Sequence, residues 1–496
     1  MKIKSLLLLA VMTFVIAVTS CSKKRADYVQ YVPADAAYVM SLNVQSLLDK
    51  SGALDNQRLH DAMVEGASQE LSGRSLDMVK ALIDDPAESG VELGSDIYFW
   101  MDDMRGGTGG IVLGLKDKGK FMSMLDAATE GGDKLTFTEQ DGCDVASADE
   151  VAVAVGEGFA LMRVGSDAGQ AMESLKASLS ADGESCFAST AAFREMSALK
   201  GDFGFMYSMK AILAEGGYQP ELEEMLKQIP IDEVDVIAGL TFDKGKVEMD
   251  CAYCSDSKEW EEWVKKSSAT VDKVSGKMMD YVGEDALGAM FFSTHGKEVM
   301  ALLSQFPGYS EMFDQLGLPF DLKQLLSTID GQVAIGVNSF SILPEVVLCA
   351  EVTSDDIMRT VNAQIGGTQV AEGKYAASVE MVPVYYGMED GMFYASLSQS
   401  SREGVKKADP SFSDNPHAAT AKGSYGYIGI NVKSLMMLPQ MEALRGEMPS
   451  QAFVMLQSID YVELYGYELT KGKLVIHTNS EDNTLRMVTE LIASNL

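Results

Sequence analysis

The strongest constraint on the fold of this chain is that it repeats itself. Asp35-Ala36-Ala37-Tyr38-Val39-Met40 corresponds to Asp285-Ala286-Leu287-Gly288-Ala289-Met290, each a short apolar strand running into a helix. Gly201-Asp202-Phe203-Gly204-Phe205 corresponds to Gly423-Ser424-Tyr425-Gly426-Tyr427, with Lys210 and Lys433 close behind. Ile231-Asp232 with Lys244-Gly245-Lys246 corresponds to Ile459-Asp460 with Lys471-Gly472-Lys473. The order is the same in both halves, so one architecture is expected twice.

The Lys-Gly-Lys segments read as hairpin turns, because glycine supplies the positive φ that a tight turn between antiparallel strands requires. After the first, Val247, Met249 and Cys251 alternate with Lys246, Glu248 and Asp250, the period of a strand with one face buried. Helices should follow, carrying Trp260, Trp263 and Val264 in one half and Leu485, Val488, Leu491 and Ile492 in the other. The same strand, helix, hairpin, helix order recurs at 37–130 and 286–364. The expectation is therefore an α+β fold of two homologous halves, 35–274 and 275–496, each with two such units forming antiparallel sheets. Hairpins are placed near 95–116, 234–254, 331–352 and 461–478, with further strands near 134–164 and 370–398.

At the N-terminus, Lys2 and Lys4 precede an apolar stretch from Leu6 to Val18, the charge order of a secretory signal and too short to span a bilayer comfortably. It ends in Val18-Thr19-Ser20-Cys21, which resembles the lipobox of bacterial lipoproteins. That resemblance implies cleavage of residues 1–20 and acylation of Cys21, with 21–34 as a tether. More than one acyl chain makes such anchoring stable. Ser22 rather than Asp after Cys21 implies the outer membrane, and no acidic export run follows, so a periplasm-facing body is expected, with the cell surface as the other possibility.

Acidic residues outnumber basic ones 73 to 40, and losing residues 1–20 takes the net charge from −33 to −35. Such a field repels phosphate backbones, so nucleic acid is not an expected partner. Gly114-Leu115-Lys116-Asp117-Lys118-Gly119-Lys120-Phe121 approaches a phosphate-binding loop, yet Phe121 lacks the hydroxyl that would hold Mg²⁺ and Asp117 adds a carboxylate, so no nucleotide is expected either. Gly106-Gly107-Thr108-Gly109-Gly110 lacks dinucleotide spacing and reads as a flexible hairpin loop.

Cys251-Ala252-Tyr253-Cys254 ends a strand just before a helix, a context in which a thiol pKa can fall, and these two are the redox candidates. Ser255-Asp256-Ser257-Lys258 with Ser413-Asp414-Asn415 suggests an acyl-transfer set, but the K-T-G element is missing and capping explains both. His60, His295, His417 and His477 are scattered and none lies in H-E-x-x-H, so no metal site is assigned; His477, matched to Asp250, reads as solvated. The methionines, 31 in number, fit core filling, Met436, Met437 and Met441 being the densest group that could hold Cu(I). Tyr385, Tyr386 and Tyr394 are possible stacking platforms for a sugar.

Val32-Pro33-Ala34-Asp35-Ala36-Ala37 opening the first strand, and Ser46-Leu47-Leu48-Asp49-Lys50-Ser51-Gly52 in the next helix, are similar to a family of Bacteroidota lipoproteins defined by domain of unknown function 4836. The resemblance implies a compartment and a length, and no mechanism. The residues thus point to a lipid-anchored envelope protein acting as a non-catalytic binding or assembly module. Its partners would be the membrane, through the anchor, and an envelope protein. No catalytic residue or cofactor is assigned. The alternative is an envelope enzyme, either a thiol oxidoreductase using Cys251 and Cys254 or a hydrolase of unrecognised type.

Overall fold

The structure is a computed structural model that describes residues 27–105, 107–129, 135–181, 183, 185–216, 229–306, 322–340 and 343–494. Residues 1–20 and Cys21 lie outside the described residues. Helices and antiparallel sheets make the chain α+β. It divides into two compact units, the first taking residues up to Gly216, Asp232–Asp256 and those from Ser480 onward, the second built on Ser257–Asn479.

The strands of the first unit are β1 (Tyr38–Leu42), β2 (Ile97–Met101), β3 (Gly109–Gly114), β4 (Thr138–Gln140), β5 (Cys143–Ala148), β6 (Val151–Val155), β7 (Phe159–Val164), β8 (Phe203–Ser208), β9 (Asp235–Asp243) and β10 (Lys246–Cys254). They pair antiparallel in the order 4-5-6-7-3-2-1-8-9-10. The core gathers Val39, Tyr98, Trp100, Leu161, Phe187 and Ile237. All five residues of β6, Val-Ala-Val-Ala-Val, are buried, so that strand is covered on both faces.

The second unit has β11 (Gly288–His295), β12 (Ile329–Phe340), β13 (Pro344–Val352), β14 (Thr368–Ala371), β15 (Lys374–Val379), β16 (Val382–Glu389), β17 (Met392–Ser396), β18 (Gly426–Ile430), β19 (Ile459–Glu468) and β20 (Lys471–Thr478). Their antiparallel order is 14-15-16-17-13-12-11-18-19-20. Phe291, Tyr394, Phe412, Tyr427 and Tyr461 are central to its core.

Two local expectations change. Gly245 does sit at φ +69° in the β9–β10 turn, but the second Lys-Gly-Lys segment is strand: β19 pairs Gly466 with Gly472 and Glu468 with Lys471, leaving Leu469-Thr470 as the turn. The oppositely charged pair at the hairpin's end favours that shorter connection. On β10 the fully buried residue is Ala252, on the face of Lys246, Glu248 and Asp250, whereas Val247, Met249 and Cys251 are half-buried. Lys246 Nζ lies 2.6 Å from Glu248 Oε1, so those charges satisfy each other along the strand.

The helix Thr484–Ala493 belongs to the first unit and packs on the helix Val44–Ser51. Its entry is pinned by hydrogen bonds from Asn483 Nδ2 to the Phe242 carbonyl, 3.2 Å, and from the Thr484 hydroxyl to the Lys246 carbonyl, 3.1 Å.

Candidate functional site

Within the second unit, β19 lies between β18 and β20, and Tyr461 and Glu463 share its buried face. Glu463 is opposite Gly429 on β18, and Tyr461 is opposite His477 on β20. An added Cβ at Gly429 would collide with the Tyr461 hydroxyl, so glycine there is what lets the phenol lie across the sheet. The site is closed by the segment after Phe412, a buried ring packed on Phe291 and Tyr427. Asn415 shapes this segment: its Oδ1 accepts the His417 N–H at 2.8 Å and its Nδ2 donates to the Glu284 carbonyl at 2.7 Å. His417 is thereby laid flat on Tyr461, ring centroids 4.0 Å apart and 10° from parallel.

Three side chains converge as a result. His477 Nε2 is 2.8 Å from Glu463 Oε1, His417 Nδ1 is 3.3 Å from Glu463 Oε2, and all three ligand-type atoms lie within 4.8 Å of one another. The Glu463 side chain is only 5% exposed, against 17% for His417 and 30% for His477. Burial opposes ionisation of Glu463, but the His417 and His477 imidazoles beside the carboxylate outweigh it and hold the carboxyl down at about 2. Burial pushes the Tyr461 phenol up to about 12 and raises Tyr427, whose hydroxyl is 3.3 Å away, further still. Two imidazole nitrogens and an ionised carboxylate, backed by neutral phenols, form a set that can hold a proton or a metal ion.

The family model for a domain of unknown function, DUF4836, matches residues 28–485. The chain belongs to this family. No curated protein matches it significantly. Among solved structures it is similar to crystal form IV of TP0453, with 11% identity over 46% of this chain and 81% of that one and a TM-score of 0.28. For crystal form III of TP0453 the identity is 10% over 50% and 90%, with a TM-score of 0.27.

The other sequence candidates of this DUF4836 chain are dispersed. Cys251 and Cys254 form no disulfide and both lie within β10; three residues apart, they leave opposite faces of the strand. Burial raises the Cys251 thiol, and Asp250 adds to this, the reverse of what a reactive thiolate needs. The helix N-cap is Ser257, three residues beyond Cys254, its hydroxyl accepting from the Trp260 N–H at 3.3 Å. Ser413 donates to Asp280 at 2.7 Å, and Asp414 forms a capping box with Ser411. Asp117 turns its own carboxylate onto the N-terminus of the helix Lys118–Ala128, accepting from the Lys120 N–H at 3.0 Å where a phosphate would sit.

Further corrections concern buried groups. Gly109 and Gly110 are not a flexible loop: they are buried in β3, and a Cβ on Gly110 would collide with the Trp100 ring. Tyr386 and Tyr394 are fully buried, Tyr386 donating to Asn362 Oδ1 at 2.9 Å, so neither is a sugar platform. Met437 is 75% exposed at the end of the short helix Val432–Met436. His60 and His295 pair with Asp84 and Asp330 at 2.9 and 2.6 Å. His417 and His477 are not scattered but converge, and His477, expected to be solvated, is half-buried against Glu463. No helix among the described residues is long and apolar enough to cross a membrane.

Proposed function

We propose that this DUF4836 chain is a Bacteroidota-type lipoprotein, acylated at Cys21 and held on the outer membrane with its body in the periplasm, where it serves as a non-catalytic binding or assembly module. The anchor rests on Val18-Thr19-Ser20-Cys21 behind a basic and apolar leader. The observation that carries the binding role is that groups with a chemical look are spent on the fold: Asp117 caps a helix, Ser413 holds Asp280, and the Cys251 thiol is raised by burial. A body of charge −35 suits a cationic protein partner. The matching strand orders of the two units support descent from a duplicated ancestor, with halves at 35–274 and 275–496.

Crosslinking in intact cells, followed by recovery of the protein, tests this reading. A stoichiometric cationic envelope protein should be recovered with it, and recovery of the chain alone would overturn the module role. Mass analysis should show acyl mass on the parent and none on Cys21→Ala; an unacylated parent removes the anchor. Alkylation of the native protein at pH 7 should leave Cys251 largely unmodified, and rapid labelling there would favour a thiol oxidoreductase.

A further inference from the structure

We propose that His417, Glu463 and His477 form a binding site for one divalent transition-metal ion of the Zn(II) class, with a coordination position left open to solvent. The donors come from three separate segments, the loop after Pro416, the central strand β19 and its neighbour β20, yet their ligand atoms all lie within 4.8 Å of one another. A tetrahedral ion with bonds of about 2.0–2.1 Å separates its ligand atoms by roughly 3.3 Å. The observed contacts, 2.8 Å from Glu463 Oε1 to His477 Nε2 and 3.3 Å from Glu463 Oε2 to His417 Nδ1, are of that size, each imidazole facing its own oxygen of the carboxylate.

The carboxylate is suited to the task. Glu463 Oε2 is buried without a well-formed hydrogen bond, with His417 Nδ1 standing 3.3 Å from it, so a lone pair is available inside the cluster. A buried anion without a metal or another cation is costly, and the groups facing this one are two imidazoles, which bind a metal as neutral ligands. The geometry is held from outside: His417 is fixed by its stacking on Tyr461 and by Asn415, and Tyr461 in turn contacts the Tyr427 hydroxyl. Such outer contacts orient ligands and sharpen affinity. Access is from the imidazole side, where His477 is 30% exposed. Two imidazoles with one carboxylate select Zn(II), Co(II), Ni(II) or Cu(II) over Mg(II) and Ca(II). Three protein ligands and one open position form the pattern of zinc sites that keep a water or an exchangeable ligand.

The test uses the mature full-length chain, freed of metal and titrated with Zn(II) against a chromophoric chelator in excess Mg(II), with Co(II) as a spectroscopic probe. One equivalent should bind, with a visible Co(II) spectrum of low coordination number. Glu463→Gln and His477→Ala should each lower Zn(II) affinity at least tenfold, while His60→Ala and His295→Ala leave it unchanged. Equal affinity in the wild type and a His417→Ala/His477→Ala double variant would overturn the site and leave only adventitious binding to the acidic surface. His477→Gln, at a half-buried position, guards against misfolding: Zn(II) should raise the melting temperature of the wild type and not that of this variant. A wild type whose melting temperature ignores Zn(II) overturns the proposal equally.

Discussion

Among the described residues two carboxylates are buried to below a tenth of their surface, Asp202 in the first unit and Glu463 in the second. They are stabilised in opposite ways. Asp202 is saturated: Lys50 Nζ lies 2.7 and 2.8 Å from its two oxygens, the Ser46 hydroxyl donates at 2.5 Å and the Phe242 N–H at 2.7 Å. Its counter-charge is a lysine supplied by the helix that follows β1. Glu463 has two imidazoles at 2.8 and 3.3 Å and one oxygen without a proper donor. One buried acid is a closed structural clasp. The other keeps exchangeable partners, and that is the difference between holding a fold together and holding a ligand.

The comparison breaks most easily at Lys50. Replacing it by Met leaves Asp202 buried with hydrogen bonds but no cation, a change that typically costs about 3 kcal/mol. Urea denaturation should show a loss of that order, and a loss below about 1 kcal/mol would mean that Asp202 is not clasped by Lys50 at all. Glu463 makes a different prediction because its stabilisation depends on pH. Its folded pKa, about 2, is below the ordinary 4.5, so the stabilisation is present above pH 4.5 and is lost as pH falls toward 2. At about 1.4 kcal/mol per pKa unit this amounts to roughly 3 kcal/mol. The gap between the wild type and Glu463→Gln should be full above pH 4.5 and close toward pH 2; a gap independent of pH across that window would show that the imidazoles do not hold the carboxylate ionised.

The contrast between the two acids also marks what could be read from the residues. Alternation and turn chemistry place the hairpins well: 234–254 is expected where β9 and β10 run from Asp235 to Cys254, and 461–478 where β19 and β20 run from Ile459 to Thr478. The site was hidden by a single turn. Centring it on Gly472 puts His477 opposite Tyr467 and leaves Glu463 far along the strand; the real turn at Leu469-Thr470 puts His477 opposite Tyr461 and within reach of Glu463. Glycine draws the turn in the sequence because it tolerates positive φ, whereas the strands pair as far as Glu468 opposite Lys471 and turn at Leu469-Thr470. A His and a Glu on facing strands were the available signal, legible only with that register. His417 had no local signal at all, since it arrives through Asn415 and Phe412, contacts that span from Glu284 to Tyr461. The burial of Tyr386 and Tyr394 was equally invisible, because alternation says that one face is covered and not which.

A smaller effect sharpens the same comparison, through helix caps. Asn43 caps the helix Val44–Ser51, its Oδ1 accepting the Ser46 N–H at 2.8 Å, and so helps to aim Ser46 and Lys50 at Asp202. Asn431 caps the helix Val432–Met436 in the second unit in the same way, accepting from Ser434 at 2.9 Å, but that helix supplies no partner to Glu463. A lost cap costs about 1 kcal/mol on its own. Asn431→Ala should show that much in urea denaturation. Asn43→Ala should show more, because its Nδ2 also donates to Asp96 Oδ1 at 3.0 Å and because a frayed first turn loosens the clasp. Asp96 gives an independent readout: burial already raises its pKa and Asn43 opposes the rise, so removing the amide should raise it further. Asn43→Ser restores the cap without reaching Asp96. If it recovers the stability but not the Asp96 titration, the two roles of Asn43 separate; if it recovers neither, the cap is not what holds Lys50 in place.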